Sequence, residues 1–210
     1  MSFRIGVLVS GEGSNLQALI DSVHGQDGIE IVCVGSNNPD ARGLVRAETA
    51  GIATGVFPAG GYGSREERDA ALADWLAERR VDLVVLAGFM EVLGPVFVRR
   101  FAGRIVNVHP SLLPAFPGVH AIDQALAHGV RLMGVTVHFV DEGVDSGPII
   151  TQEAFDPVPY SRDIAAVEKR VHEIEHRLLP RAVRLIAAGR VRLDPDNPRH
   201  VIVEEDDGHH

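Results

Sequence analysis

Apolar positions along this chain alternate between two rhythms, one of strands and one of helices. Ile5 to Val9 is a short run rich in β-branched residues that ends in Ser10-Gly11-Glu12-Gly13, as a buried strand does when it enters a turn. Leu16, Leu19, Ile20 and Val23 then recur at helical spacing, with Ser14 or Asn15 placed to cap the helix start. A strand is expected at Ile29 to Val34, a helix through Ala41 to Ala50, and a short strand near Thr54 to Phe57. Leu72, Trp75 and Leu76 mark another amphipathic helix, and Leu83 to Leu86 is apolar throughout, as a central strand is. Strands alternating with helices predict an α/β fold: a mostly parallel twisted sheet covered by helices on both faces, a Rossmann-type arrangement.

The rhythm changes after residue 104. Arg104 to Val108 reads as a strand, and Pro110, Pro114, Pro117 and Gly118 then force an extended loop. A short helix is expected at Ala121 to His128. Val135 to Val140 and Ile149 to Phe155 read as a hairpin-like pair, separated by a loop carrying Asp141, Glu142, Gly143, Asp145 and Gly147. Ile164, Val167, Val171, Ile174 and Leu178 share one face of a long helix, which Pro180 is expected to kink. Beyond Asp194 the chain is proline-rich and acidic, so the expected organisation is one domain over residues 1–193 and a flexible acidic tail over 194–210.

Composition narrows the partners. Hydrophobic residues at 45% and charged residues at 23% can support one independent core. A formal charge of -9 argues against a nucleic-acid backbone as partner, although Glu204, Glu205, Asp206 and Asp207 supply four of those charges. No apolar run reaches the length of about 18 residues that spans a bilayer, so no membrane is expected, and the location is expected to be cytoplasmic. The single Cys33 sits in an apolar run and reads as a core residue.

Two places carry chemistry. A strand, a Gly-rich turn at Ser10 to Asn15 and a helix place backbone N–H groups where a phosphate can sit, and the alternative is simply a tight turn. A dinucleotide fingerprint is not met, because Leu16 stands where a third glycine belongs and Gly35-Ser36-Asn37 where an acid belongs. Asn107 and His109, two apart at a strand end, face the same side, where open α/β sheets bind substrates. Local turn-capping is the competing explanation for this pair, as it is for Asp145 ahead of Ser146-Gly147.

Four segments together resemble the phosphoribosylglycinamide formyltransferases, folate-dependent enzymes of purine synthesis. They are Ser10-Gly-Glu-Gly-Ser-Asn-Leu-Gln17, Val85-Leu-Ala-Gly-Phe-Met90, Asn107-Val-His-Pro-Ser-Leu-Leu-Pro114, and Gly134-Val-Thr-Val-His-Phe-Val140 with Asp145-Ser-Gly-Pro148. The resemblance covers roughly residues 4 to 190. It implies transfer of the formyl group of 10-formyltetrahydrofolate, a co-substrate, to the amine of glycinamide ribonucleotide, with no metal required. It further implies that Asn107, His109 and Asp145 are catalytic. Gly13, Ser14 and Asn15 would hold the substrate phosphate, and His172, Glu173, Ile174 and Glu175 its ribose and glycinamide. The folate site would be lined by Arg65, Met90, Glu91, Val92, Leu93, Asn107, Asp141, Glu142, Gly143, Val144 and Asp145. A homodimer is a further expectation of the resemblance.

One position departs from the family's pattern. Glu91 stands where a basic residue is usual, so a contact to the acidic folate tail is expected to be missing or reversed, and Glu91→Arg is expected to tighten polyglutamylated folate more than the monoglutamate. Three rivals stay open: transfer to another amine, hydrolysis of the formylfolate, and a non-catalytic module that binds a nucleotide phosphate. A formyltransferase acting on tRNA would need a further basic domain, which this length and charge do not provide.

Overall fold

The computed structural model describes residues 2–157 and 163–204. Its first strand, β1 (Phe3–Val9), is buried on both faces and pairs in parallel with β2 (Ile29–Ser36) on one side and β4 (Leu83–Leu86) on the other. Beyond β2 lies β3 (Ala53–Val56), and beyond β4 come β5 (Ile105–His109), β6 (Met133–Phe139) and β7 (Ile149–Phe155). Among the described residues the strand order is β3-β2-β1-β4-β5-β6-β7; β3 to β5 run parallel, and β6 and β7 are added antiparallel. The mostly parallel α/β sheet expected from the sequence is therefore observed, with the hairpin at its edge.

Alternation along the strands divides the core. Ile5, Val7 and Val9 of β1 and Leu83 and Val85 of β4 point into a cluster closed by α1 (Ser14–Ser22), α2 (Arg42–Thr49), α5 (Ala121–His128) and α6 (Ile164–Ala187). Leu8, Val84, Leu86 and Ile105 point the other way, under α3 (Arg65–Glu78) and α4 (Pro95–Arg100). Side chains of a strand alternate between faces, so Asn107 and His109 share the face of Ile105 and lie on the α3 and α4 side. Helix α6 runs unbroken through Pro180, which is buried within it, so no break occurs at the expected kink.

The expectation of a flexible tail from residue 194 is corrected. β8 (Val191–Leu193) and β9 (Val201–Val203) form an antiparallel pair, and Val201 is buried against the main core. The Pro-rich connection is held by local bonds: the Asp194 carboxylate accepts the Asp196 N–H at 2.9 Å, Asp194 N–H donates to His200 O at 2.9 Å, and His200 N–H to Asn197 O at 2.8 Å. Polar turn-forming side chains that looked like disorder thus close a hairpin. Residues 205–210, the end of the expected tail, lie outside the described residues. No helix among the described residues is long and apolar enough to cross a membrane.

Candidate active site

In a parallel sheet the strand order reverses where one crossover goes left and the next goes right, and the loops there splay apart. Here that point lies between β1 and β4. A cavity of about 710 Å³ opens at their C-terminal ends, walled by the Gly-rich turn, residues 86–93, the end of β5, the 138–146 loop and one face of α6.

The Gly-rich turn forms one end. Gly13 takes φ 72° and is itself the residue before α1, with no side chain capping the helix. The expected cap by Ser14 or Asn15 does not form: Ser14 is the first helical residue, and Asn15 Nδ2 instead donates to the buried Glu175 Oε2 at 3.0 Å. The first N–H groups of α1 are thus left without a side-chain acceptor, and the helix dipole points its positive end into the cavity. A side chain at Gly13 is excluded, since its Cβ would stand 2.6 Å from Gly43 Cα. Glu12 would oppose an anion, but Arg46 pairs with it at 2.6 Å and Arg42 at 3.1 Å. The Arg46 hydrogen bond is the main influence holding the Glu12 carboxyl below its ordinary range.

At the middle of the cavity the strand-end pair meets Asp145. Asn107 Nδ2 donates to Asp145 Oδ1 at 3.2 Å, and His109 Nδ1 lies 3.3 Å from Asp145 Oδ2. Gly118 N–H donates to the same Oδ2 at 2.7 Å, so the proline-rich loop also organises around this carboxylate. His109 Nε2 faces the Phe116 carbonyl oxygen at 2.9 Å. Both ring nitrogens therefore meet acceptors, an arrangement fully satisfied when both carry protons. Beyond this cluster the cavity mouth is apolar, with Met90, Val92, Val119 and Val144 all exposed around it.

The formyl transferase family profile matches residues 3–183. The chain belongs to the formyl transferase family. It is 44% identical over 191 residues to phosphoribosylglycinamide formyltransferase of Haemophilus influenzae, a match covering 90% of each protein. It is 48% identical over 196 residues to the trifunctional purine biosynthetic protein adenosine-3 of Drosophila melanogaster, covering 92% of this chain but only 14% of that longer protein. The crystal structure of glycinamide ribonucleotide transformylase 1 from Symbiobacterium toebii superposes with a TM-score of 0.91 at 44% identity, covering 97% of this chain and 95% of that one.

Two carboxyls of this formyl transferase are displaced from ordinary behaviour in opposite directions. For Asp145, burial pushes the pKa up, but hydrogen bonds from His138 and the Gly118 N–H, with the charges of His109 and His138, together bring it below the usual range. For Glu175, burial dominates over the Asn15 hydrogen bond and the His172 charge, and its pKa is raised. The Oδ1 of Asn15 is buried without a hydrogen-bond partner, an acceptor available to a ligand's N–H or O–H.

Most of the residues proposed from the sequence come together, and four do not. Gly13, Ser14, Asn15, His172 and Glu175 line the cavity, as do Met90, Glu91, Val92, Leu93, Asp141, Gly143 and Val144. Helical periodicity explains two exceptions: Ile174 is wholly buried in the core, and Glu173 faces outward, paired with Arg170 at 3.1 Å. Glu142 points away to Arg99 at 2.8 Å, and Arg65 lies against Asp69 at 3.7 Å outside the cavity. Glu91 lines the wall but is engaged by protein: Asn37 Nδ2 donates to its Oε1 at 2.9 Å, and Arg68 Nη1 pairs with its Oε2.

Sequence reasoning passed over His138. It sits opposite Asn107 in the β5/β6 register, with Nε2 3.3 Å from Asn107 Nδ2 and 3.6 Å from Asp145 Oδ1. The signal was a buried histidine two residues from Thr136 in an otherwise apolar strand, on the same side as that threonine.

Proposed function

We propose that this formyl transferase moves the formyl group of 10-formyltetrahydrofolate to the amine of glycinamide ribonucleotide in purine synthesis. The observation that carries the reading is the meeting of Asn107, His109 and Asp145 at the junction of an anion-receptive helix start and an apolar-mouthed pocket. The two ends of the cavity ask for two chemically different substrates, and the polar cluster stands where they would meet.

In this reading the substrate phosphate lies against Gly13, Ser14 and Asn15, where the uncapped N–H groups of α1 receive it. His172 and Glu175 face the ribose and glycinamide part, and the unpartnered Asn15 Oδ1 gains a donor. The folate ring system enters past Met90 to Leu93 and the 141–145 loop. Arg65, Glu142, Glu173 and Ile174 make no direct contact.

The substrate amine attacks the formyl carbon, a new C–N bond forms, and the carbonyl oxygen becomes an oxyanion. The second hydrogen of Asn107 Nδ2, and the His109 Nε2–H in place of its contact to the Phe116 carbonyl, turn to that oxyanion, and such a donor is typically worth about 100- to 1,000-fold in rate. Asp145 steadies the positive charge on His109 and holds both donors from the opposite side. On collapse the bond from carbon to the folate nitrogen breaks, and the proton lost by the amine ends on that nitrogen. Atoms and charge balance without an oxidant or reductant.

Steady-state assays with and without glycinamide ribonucleotide test this reading. The expected result is loss of formylfolate only when the amine is present, with stoichiometric formylated product. Formate released without the amine would establish hydrolysis instead, and binding of the ribonucleotide with no turnover would leave only a phosphate-binding module.

A further inference from the structure

Between the Gly-rich turn and the wall segment 90–94 runs a chain of polar side chains that the reaction itself does not use. Asp69 Oδ1 accepts from Arg68 Nε at 3.1 Å and from its Nη2 at 2.8 Å, while Asp69 Oδ2 accepts the Gly94 N–H at 2.6 Å. Arg68 turns its remaining Nη1 to Glu91. Glu91 accepts from Asn37, Asn37 Oδ1 accepts the Ser10 hydroxyl proton at 2.6 Å, and Ser10 Oγ accepts the Met90 N–H at 2.8 Å. The wall is therefore pinned at Gly94, at Glu91 and at Met90, and the last pin is Ser10, the residue before Gly11.

The chain has a polarity, and Glu91 sets it. A carboxylate can only accept, so the Asn37 amide must turn its NH₂ toward Glu91 and its oxygen toward Ser10. Ser10 has one proton, which goes to that oxygen and leaves a lone pair for the Met90 N–H. With a donor at position 91 the amide would reverse, its NH₂ would compete for the Ser10 oxygen, and the Met90 bond would weaken. The cost of the arrangement also argues for a positional purpose. Arg68 and Asp69 side chains are each 3% exposed, and taking such ions out of water is costly, where an apolar pair often packs at least as stably.

Building on the function proposed above, we infer that Arg68, Glu91 and Asn37 are positioning residues that couple the Gly-rich turn to the folate wall, so that ribonucleotide in the turn raises affinity for folate. Binding at one site then orders the other through Ser10, and the coupling is reciprocal.

Calorimetric titration with a folate analogue that lacks the formyl group, in the presence and absence of glycinamide ribonucleotide, tests this directly. Wild type is expected to bind the analogue about 5-fold or more tightly when the ribonucleotide is bound. Asn37→Ala and Glu91→Ala, each confirmed folded by thermal unfolding, should bring that ratio close to one. Glu91→Gln has a single oxygen, which the donor-only Arg68 claims, so its NH₂ faces Asn37 and reverses that amide; this near-isosteric variant should therefore lose most of the coupling while remaining as well folded as wild type, which a general loss of stability would not produce. Wild type that binds both ligands independently, or Asn37→Ala with an unchanged ratio, would overturn the inference while leaving the proposed reaction intact. Wild type that binds neither ligand would overturn both.

Discussion

The Oδ2 atom of Asp145 lies 3.3 Å from Nδ1 of His109 and serves as the anchor of the central cluster. Because its neighbours hold the Asp145 pKa below the ordinary value, ionised Asp145 stabilises the fold, fully so above about pH 4, the unfolded value. That contribution is lost as pH falls through the lower, folded value. Asp145→Asn should therefore unfold at a lower temperature than wild type near neutral pH, with the gap narrowing in acid. Thermal unfolding across the acid range measures this, and a gap that stays constant would contradict it.

Glu175 carries the opposite sign. Its folded pKa is raised by burial, so wild-type stability falls as pH climbs from the ordinary glutamate value of about 4.3 through the raised one, then levels off. Glu175→Gln keeps an acceptor for Asn15 without the charge, so the variant should melt higher than wild type at neutral pH and about equally in acid. The same variant should bind glycinamide ribonucleotide more weakly.

Gly13 and Gly11 make a matched pair. A Cβ at Gly13 meets the Gly43 backbone and the residue has φ 72°, whereas at Gly11 nothing lies within 4 Å. Gly13→Ala should cost about 2 kcal/mol in urea unfolding, and Gly11→Ala close to nothing. Ribonucleotide affinity should drop for Gly13→Ala well beyond any change in folate affinity.

Position 91 reverses an expectation. Glu91→Arg looked, from sequence, like a way to tighten binding of an acidic folate tail. With Arg68 buried behind it, the substitution sets two guanidinium groups together and should destabilise the fold by about 2 kcal/mol, a value at the modest end because Glu91 is partly exposed. Chemical unfolding and folate titration check this together: lower stability with weaker folate binding is expected.

What could be read from the sequence was what is local. Leu83 to Leu86 and Ala121 to His128 match their observed elements because apolar runs, spacing and turn residues act over a few positions. The six-residue α4 escaped notice, being too short to show a period. The β8/β9 hairpin was missed because its three-residue strands gain their stability from packing against the core. In the site, Asn107 and His109 were legible as neighbours on a strand. The protein partners of Glu91 and the place of His138 were not, since Arg68 and Asn37 lie 23 and 54 positions from Glu91, Asn107 lies 31 from His138, and only the folded sheet brings them together.

The most direct test follows an isotopically labelled formyl group in a single turnover with enzyme in excess, comparing wild type with His109→Ala and Asp145→Asn. Label should pass from the folate to the ribonucleotide amine in wild type, and transfer should slow by about 100-fold or more in each variant while both substrates still bind. Label appearing as free formate, or transfer at wild-type rate in both variants, would contradict the proposed role of the Asn107–His109–Asp145 cluster.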